Sequence, residues 1–382
     1  MWGPYLPPLS TFIVKEFELS GFMMGLMMSS FYLGCIVFSF FTGHIINSLG
    51  IQNSIVISLI VIGFFIMASS FFNSEWAIIL LLAFSGMGYS LINPAINLLV
   101  TQDFSIEVRG LAMSVKQMGV TLGGVLTALL LPKLAFIYNW RTSLFIGGVI
   151  VASFSLYFFF MLKSYSSPPV SSSNLNHLKN IKIFFQNSKL VRLSILSFFF
   201  VGAQFSYFMY LVLFLNLDLN YSIAASSFLL AISQASGAIG RVIWGAASDR
   251  SGDKRKVLTW IGILSSIFLV LLSFSSLLSM PYKLIGAITV ILGFTISGWN
   301  GIFQAAIIEY GGEKAAAVSS GVSLTFTYLG IFLFSLFFGW TKDLFSSFSL
   351  SWIILSICLI FSTLLIYKDQ SSISAKSKKI AG

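Results

Sequence analysis

Two basic residues lie inside long apolar stretches, where charged side chains are rare. Arg241 stands eight residues before Asp249, and Lys116 stands seven residues after Arg109. At about 1.5 Å of rise per helical residue, Arg241 would lie about 12 Å deep and Lys116 about 10 Å deep in a membrane. A cation at such a depth costs several kcal/mol and is a functional candidate, because it can bind an anion. The alternative is that either side chain reaches the interface or pairs with carbonyl groups at a helix end.

Uncharged polar side chains accompany these cations in the apolar stretches. They are Asn93, Asn97, Gln204, Gln234, Asn300 and Gln304. Two pairs among them are four residues apart, so the members of each pair share one face of a helix. Such groups orient a polar solute or, equally, tie neighbouring helices together. We expect Trp299, beside Asn300, to serve packing rather than solute stacking.

The patterns of catalytic and metal-binding proteins are missing from the sequence. It has no Gly-x-x-x-x-Gly-Lys-Ser/Thr phosphate loop and no nucleophile placed with a base, and His44 and His177 have no metal-ligand neighbours. The two cysteines, Cys35 and Cys358, lie in apolar runs, which excludes a secreted disulfide scaffold. We expect no catalytic residue, no cofactor, no metal and no nucleic-acid partner.

The composition identifies the class of protein. Of the 382 residues, 57% are hydrophobic and 9% are charged, whereas a soluble domain averages about 25% charged residues. Aromatic residues make up 16% of the chain, which excludes disorder. The sequence therefore predicts an all-α polytopic membrane protein, since lipid tolerates no unpaired backbone groups.

Eleven segments reach the length of about 20 apolar residues that a membrane-crossing helix needs. They are 20–46, 51–72, 76–102, 108–136, 141–163, 189–215, 222–248, 256–280, 284–308, 315–340 and 347–367. Residues 1–17 are apolar but too short to cross alone, and they lack the basic start of a signal peptide.

A serine-rich segment with Pro168-Pro169, residues 164–188, divides the chain into halves of similar size. With this linker on the inner side, fifteen basic residues face inward and five outward. The positive-inside rule therefore places the linker and the C-terminus in the cytoplasm. We expect a multi-pass protein of the plasma or inner membrane.

The two halves repeat each other in the same orientation. A shift of 202 residues places Ser20 on Ser222 and Gly43-x-x-x-Asn47-x-x-Gly50 on Gly245-x-x-x-Asp249-Arg250-x-Gly252, and a shift of 205 places 88–114 on 293–319. Parallel repeats of six spans are a transporter architecture. The partner of 189–215 would run from −13 to 13, so we expect a first helix that begins upstream or is shortened.

At this point the chain resembles the major facilitator superfamily (MFS), over essentially its whole length. The resemblance rests on the two six-span halves, the central linker, Arg109-Gly110, Trp140-Arg141 and the turn motif G-x-x-x-D-R-x-G followed by basic residues. The motif residues here are Gly245, Asp249, Arg250, Gly252 and Arg255. In the family this turn latches the cytoplasmic side by charge pairing. Asn47 and Ser48 replace its acid and arginine in the first half, so we expect a weaker latch there.

The resemblance implies an MFS fold with bundles at 1–163 and 189–368, the linker 164–188 and a cytoplasmic tail, 369–382. It also implies secondary active transport by alternating access, without enzymatic activity. An arginine at the position of Arg241 resembles the anion-binding arginine of superfamily carriers for nitrate and carboxylates.

We therefore expect a monomeric carrier of a small anionic, carboxylate-type organic solute, coupled to a proton or a counter-anion. Arg241 and Lys116 would be its charge partners, and the six amides would orient it. The alternatives are an efflux carrier for amphipathic or cationic compounds and a non-transporting receptor on the same scaffold.

The predicted orientation is testable with single cysteines in a chain that lacks Cys35 and Cys358. A membrane-impermeant maleimide added to intact cells should label Asn73→Cys, in an outer turn, and should label Ser377→Cys only after permeabilisation. Labelling of Ser377→Cys in intact cells would contradict a cytoplasmic C-terminus.

Overall fold

The structure is a computed structural model that describes residues 6–104, 106–162, 184–311 and 316–380. Within these ranges the main elements are twelve helical segments, and the second of them consists of two helices that meet at a kink at Gly50, where the backbone is not helical. They are α1 (Leu6–Phe17), α2 (Gly21–Ser69), α3 (Glu75–Asp103), α4 (Ile106–Ile137), α5 (Trp140–Met161), α6 (Ser188–Leu217), α7 (Ile223–Ser251), α8 (Lys254–Ser273), α9 (Tyr282–Ile296), α10 (Trp299–Gly311), α11 (Ala316–Phe345) and α12 (Phe348–Ile380).

Eleven segments of the described chain are long and apolar enough to cross a membrane, which confirms the eleven predicted spans. One prediction is too long, because the helix predicted over 256–280 ends at Ser273. The hydroxyls of Ser273 and Ser275 donate to the carbonyl oxygens three residues back, at 2.6 and 2.7 Å, in the turns that follow. Such bonds compete with helix continuation. Residues 163–183, most of the predicted linker, lie outside the described residues.

The chain forms two compact units. The first contains the described residues before 163 together with Met209–Ala231 and Ser335–Gly339, and the second contains the rest of the described chain. The first unit therefore includes short segments of α6, α7 and α11, which follow the predicted linker in the sequence.

Local structure repeats where the sequence repeats. The Ser20 hydroxyl caps α2 by accepting a hydrogen bond from the Met23 N–H at 3.1 Å, and its partner Ser222 accepts one from Ala225 at 3.2 Å. The last glycine of each turn motif has a positive φ, 78° at Gly50 and 64° at Gly252. L side chains rarely adopt this conformation, which explains why both motifs end in glycine.

Glycines bring helix backbones into direct contact within each unit. A methyl group on Gly34 of α2 would overlap the Ala83 carbonyl of α3, and one on Gly86 would overlap the Phe31 carbonyl. In the second unit, Gly240 of α7 lies in the same way against the Phe294 carbonyl of α9. The hydrophobic effect does not drive helices together within lipid, so this close van der Waals packing holds each pair together.

Tyr210 of α6 joins two other helices inside the first unit. Its buried hydroxyl lies 2.9 Å from the carbonyl oxygen of Gly21 in α2 and 3.0 Å from that of Ser335 in α11. A Cβ on Gly25 or Gly339 would lie only 2.5 or 2.6 Å from this hydroxyl. The phenol has one proton, so it donates to one carbonyl at a time.

The glycine contacts predict which glycines tolerate a methyl group. We expect Gly86→Ala to lower the free energy of unfolding by about 1–3 kcal/mol, the usual cost of overpacking. The matched control is Gly321→Ala in α11, where no neighbouring atom lies within 4 Å of the added Cβ. Thermal unfolding of the purified variants measures the difference, and an equal effect of both substitutions would contradict the packing role.

Candidate functional site

Arg241 contacts the end of a broken helix in the second unit. Its side chain is partly buried on α7, and its Nε donates to the carbonyl oxygen of Ser297 at 3.4 Å. Ser297 caps the C-terminus of α9, and the next helix begins at Trp299. The C-terminal carbonyls of a helix carry partial negative charge, which favours a cation at this position.

The break between α9 and α10 packs closely against α7. A Cβ on Gly298 would overlap the Trp244 ring, and Ser297 packs on Gly237, whose added Cβ would lie 2.8 Å from the Ser297 hydroxyl oxygen. The sequence prediction of one helix over 284–308 missed this break. The sequence feature that could have predicted the break is the Ser297-Gly298 pair, because both residue types favour helix termination.

Gln204 of α6 organises a buried polar cluster beside the break. Its Oε1 accepts hydrogen bonds from the indole N–H of Trp299 at 2.9 Å and from Nδ2 of Asn300 at 3.1 Å. Trp299 is fully buried; its ring makes an edge contact with Phe200 and a tilted contact with Phe303, which agrees with the predicted packing role. The structure thus brings together Gln204 and Asn300, which the sequence analysis selected as candidate solute-binding residues in two different spans.

The other two amides of the second unit are not in this cluster. Gln234 is buried on α7, two turns before Arg241, whereas Gln304 lies exposed on α10. Within the described part of the chain, no hydrogen bond joins either side-chain amide to another residue. Their role in binding a solute stays a prediction.

Lys116 and Asn97 pair in the first unit. Nζ of Lys116 on α4 donates to Oδ1 of Asn97 on α3 at 2.7 Å. Asn93, one turn away, donates more weakly to the hydroxyl of Tyr89 at 3.4 Å. Between them, Ala95 is fully buried in an apolar cluster that includes Leu91 and fixes this part of α3.

The turn between α7 and α8 holds the second-half motif. The Asp253 carboxylate caps α8 by accepting from the backbone N–H groups of Arg255 at 3.0 Å and Lys256 at 3.4 Å. Lys254 forms an ion pair with Glu309 at the end of α10, with 2.5 Å between Nζ and Oε2. Sequence reasoning missed this pair, because only the fold brings residues 55 positions apart together.

The predicted latch partners Asp249 and Arg250 are both exposed. Their side chains form no hydrogen bond or ion pair with other described residues. The charge-pairing role of Asp249 stays a prediction. The side chain of Arg109 lies outside the described residues.

Across the ranges that the structure covers, no group of three or more His, Cys, Asp or Glu side chains could hold a metal ion.

A helical membrane protein made of repeated units, with cations and amides inside its spans, has the architecture of a solute transporter. The family model described as Major Facilitator Superfamily matches residues 1–335. The chain therefore belongs to the Major Facilitator Superfamily, and it is a transporter rather than an enzyme.

Solved structures show the same fold. A mutant of the nucleoside transporter NupG matches with a TM-score of 0.79 at 15% sequence identity, over 96% of this chain and 95% of that one. A D-xylose–proton symporter matches with a TM-score of 0.76 at 15% identity, over 96% and 94%. A bacterial homologue of the human lysosomal transporter Spinster, inward-facing and occupied, matches with a TM-score of 0.75 at 15% identity, over 97% and 93%.

The Gln204 cluster yields a prediction about stability. In Gln204→Leu, the indole N–H of Trp299 loses its acceptor, and a buried unpaired donor costs about 1–3 kcal/mol. We therefore expect a lower melting temperature of the purified protein. Gln304→Leu makes the same chemical change at an exposed position and is the control. A similar drop in both variants would refute a specific role for the buried cluster.

Proposed function

We propose that this protein carries a small anionic organic solute, of carboxylate type, across the membrane. The observation that carries the proposal is the environment of Lys116. This ammonium lies in a membrane-spanning helix, and its described hydrogen bond goes to the uncharged amide oxygen of Asn97. A buried charge is costly without an opposite charge, so an anionic solute stabilises Lys116 when it binds.

Arg241 supplies the stronger anion partner in this proposal. Its guanidinium is a planar fork that can hold a carboxylate through two parallel hydrogen bonds. The contact with the Ser297 carbonyl orients the side chain at the end of α9. Gly245, one turn further along α7, has no atom within 4 Å of an added Cβ, which leaves open space beside this face of the helix.

The amides orient the solute in this scheme. Asn97 and Asn93 act beside Lys116, and Gln204, Gln234, Asn300 and Gln304 act in the second unit. An amide offers both a donor and an acceptor, so these groups suit the hydroxyl or carbonyl groups of an organic acid.

Transport would follow the alternating access expected of the family, with bundles at 1–163 and 189–368 and the turn at Asp249 and Arg250 as part of the cytoplasmic gate. We place the protein as a monomer in the plasma or inner membrane, with the C-terminus in the cytoplasm. The solute would move with a proton or in exchange for another anion.

The test is binding of a panel of mono- and dicarboxylates to the purified protein, first by thermal stabilisation and then by calorimetry. We expect Arg241→Ala to abolish binding and Arg241→Lys to weaken it by about 1–3 kcal/mol, the range for hydrogen bonds to charged groups. Lys116→Ala should weaken binding less, because Lys116 is predicted to lie closer to the interface.

Lys133→Ala is the matched control, since Lys133 lies exposed near the other end of α4. It should bind the anion like the wild type. Stabilisation by neutral nucleosides or sugars, the solutes named for NupG and the xylose symporter, with no response to carboxylates, would reject an anionic substrate.

A further inference from the structure

A small basic pocket opens in the second unit, at the end where α6 and α8 begin and where α10 ends. It is a small depression that is partly open to the solvent. It is lined by Lys189, Arg192, Leu193, Arg255, Tyr310 and Ile366. Three of these six side chains are cationic, and none is acidic. The pocket contains none of the residues that we assign to the transported solute.

Arg255 has donors in the protein interior that lack acceptors. Its Nε and Nη1 are inaccessible to solvent and form no hydrogen bond with any described residue. Nε forms an ion pair with Oδ1 of Asp253 at 3.7 Å, which is beyond hydrogen-bond distance. The same oxygen already accepts the backbone N–H groups that cap α8. Buried donors of this kind are rare and point to an acceptor from outside the chain.

Lys189 provides a second cation in the same pocket. Its Nζ lies 5.2 Å from the centre of the Tyr310 ring, a distance typical of a cation–π contact. The Tyr310 carbonyl accepts a hydrogen bond from Nδ2 of Asn187 at 3.1 Å, which fixes the end of α10 against the start of α6. The cation is thus held at the pocket by its aromatic neighbour.

Among the described side chains, Lys189, Arg192 and Arg255 bring three positive charges to the pocket, and Asp253 beside Arg255 brings one negative charge. Glu309 is already paired with Lys254. Leu193 and Ile366 form an apolar wall and are themselves buried.

We propose that this pocket binds the phosphate group of a phospholipid headgroup. A phosphate oxyanion accepts several charge-assisted hydrogen bonds, which matches the fork of Arg255 together with the ammonium of Lys189. The predicted orientation places the pocket on the cytoplasmic side, where anionic headgroups face basic residues. Free inorganic phosphate shares the same chemistry.

The experiment measures thermal stabilisation of the purified full chain in detergent during three titrations at constant ionic strength. The probes are phosphatidylglycerol, zwitterionic phosphatidylcholine and inorganic phosphate. The variants are Arg255→Gln and Lys189→Gln. The control is Lys256→Gln, which removes the same charge from an exposed position next to Arg255 that does not line the pocket.

We expect phosphatidylglycerol to stabilise the wild type and Lys256→Gln equally and more strongly than phosphatidylcholine. The half-maximal concentration should rise roughly tenfold in Arg255→Gln and Lys189→Gln, as expected for the loss of a charged hydrogen bond. If inorganic phosphate gives this pattern and phosphatidylglycerol does not, the pocket binds phosphate, but its ligand is a soluble phosphate and not a lipid.

Two results would overturn the site. One is a response to phosphatidylglycerol that is unchanged in both pocket variants, and the other is no stabilisation of the wild type by either phosphate probe. Neither result bears on carboxylate binding at Arg241, so this proposal and the transport proposal fail separately.

Discussion

Direct contact between helix backbones is the constraint on which the other features of this protein depend. In each unit, glycines replace side chains where one helix crosses another, at Gly34 and Gly86 in the first and at Gly240 in the second. The same packing brings α7 against the broken end of α9, so Arg241 reaches the Ser297 carbonyl. It also holds α3 in place, which positions Asn97 for Lys116. Larger residues at these crossings would separate the helices and the polar partners that they carry.

Within this packing, polar contacts do two different tasks. The contacts of Gln204 with Trp299 and Asn300 satisfy buried donors and stabilise one arrangement of α6 and α10. The contact of Lys116 with the uncharged amide oxygen of Asn97 orients a positive charge without neutralising it. In a medium of low dielectric constant such a charge interacts strongly with any anion that approaches.

The basic residues near the ends of the helices also differ in whether their side chains are paired within the described chain. Lys254 is paired with Glu309 across the ends of α8 and α10 and so contributes to structure, although an exposed pair stabilises little. Arg255, the next residue, keeps buried donors that the described chain does not satisfy. Two neighbouring cations of one motif therefore have different environments, which the motif alone does not reveal.

Much of this was readable from the sequence because the relevant physics is local. Span length and apolarity determine which segments cross a membrane, and the eleven predicted spans are confirmed. The matching of Gly50 with Gly252 and of Ser20 with Ser222 predicted the internal repeat, since backbone conformation and helix capping depend on a few adjacent residues. The sequence also shows directly that Arg241 and Lys116 lie within apolar segments.

Only the tertiary structure decided which groups meet. Lys116 with Asn97, Gln204 with Trp299, and Lys254 with Glu309 are pairs from different helices, and Trp244 packs against Gly298 at the break between α9 and α10. Helical periodicity specifies the face on which a side chain lies, but not the neighbour that this face contacts. That neighbour is set by the distance and rotation between packed helices, which many small contacts along both surfaces determine together.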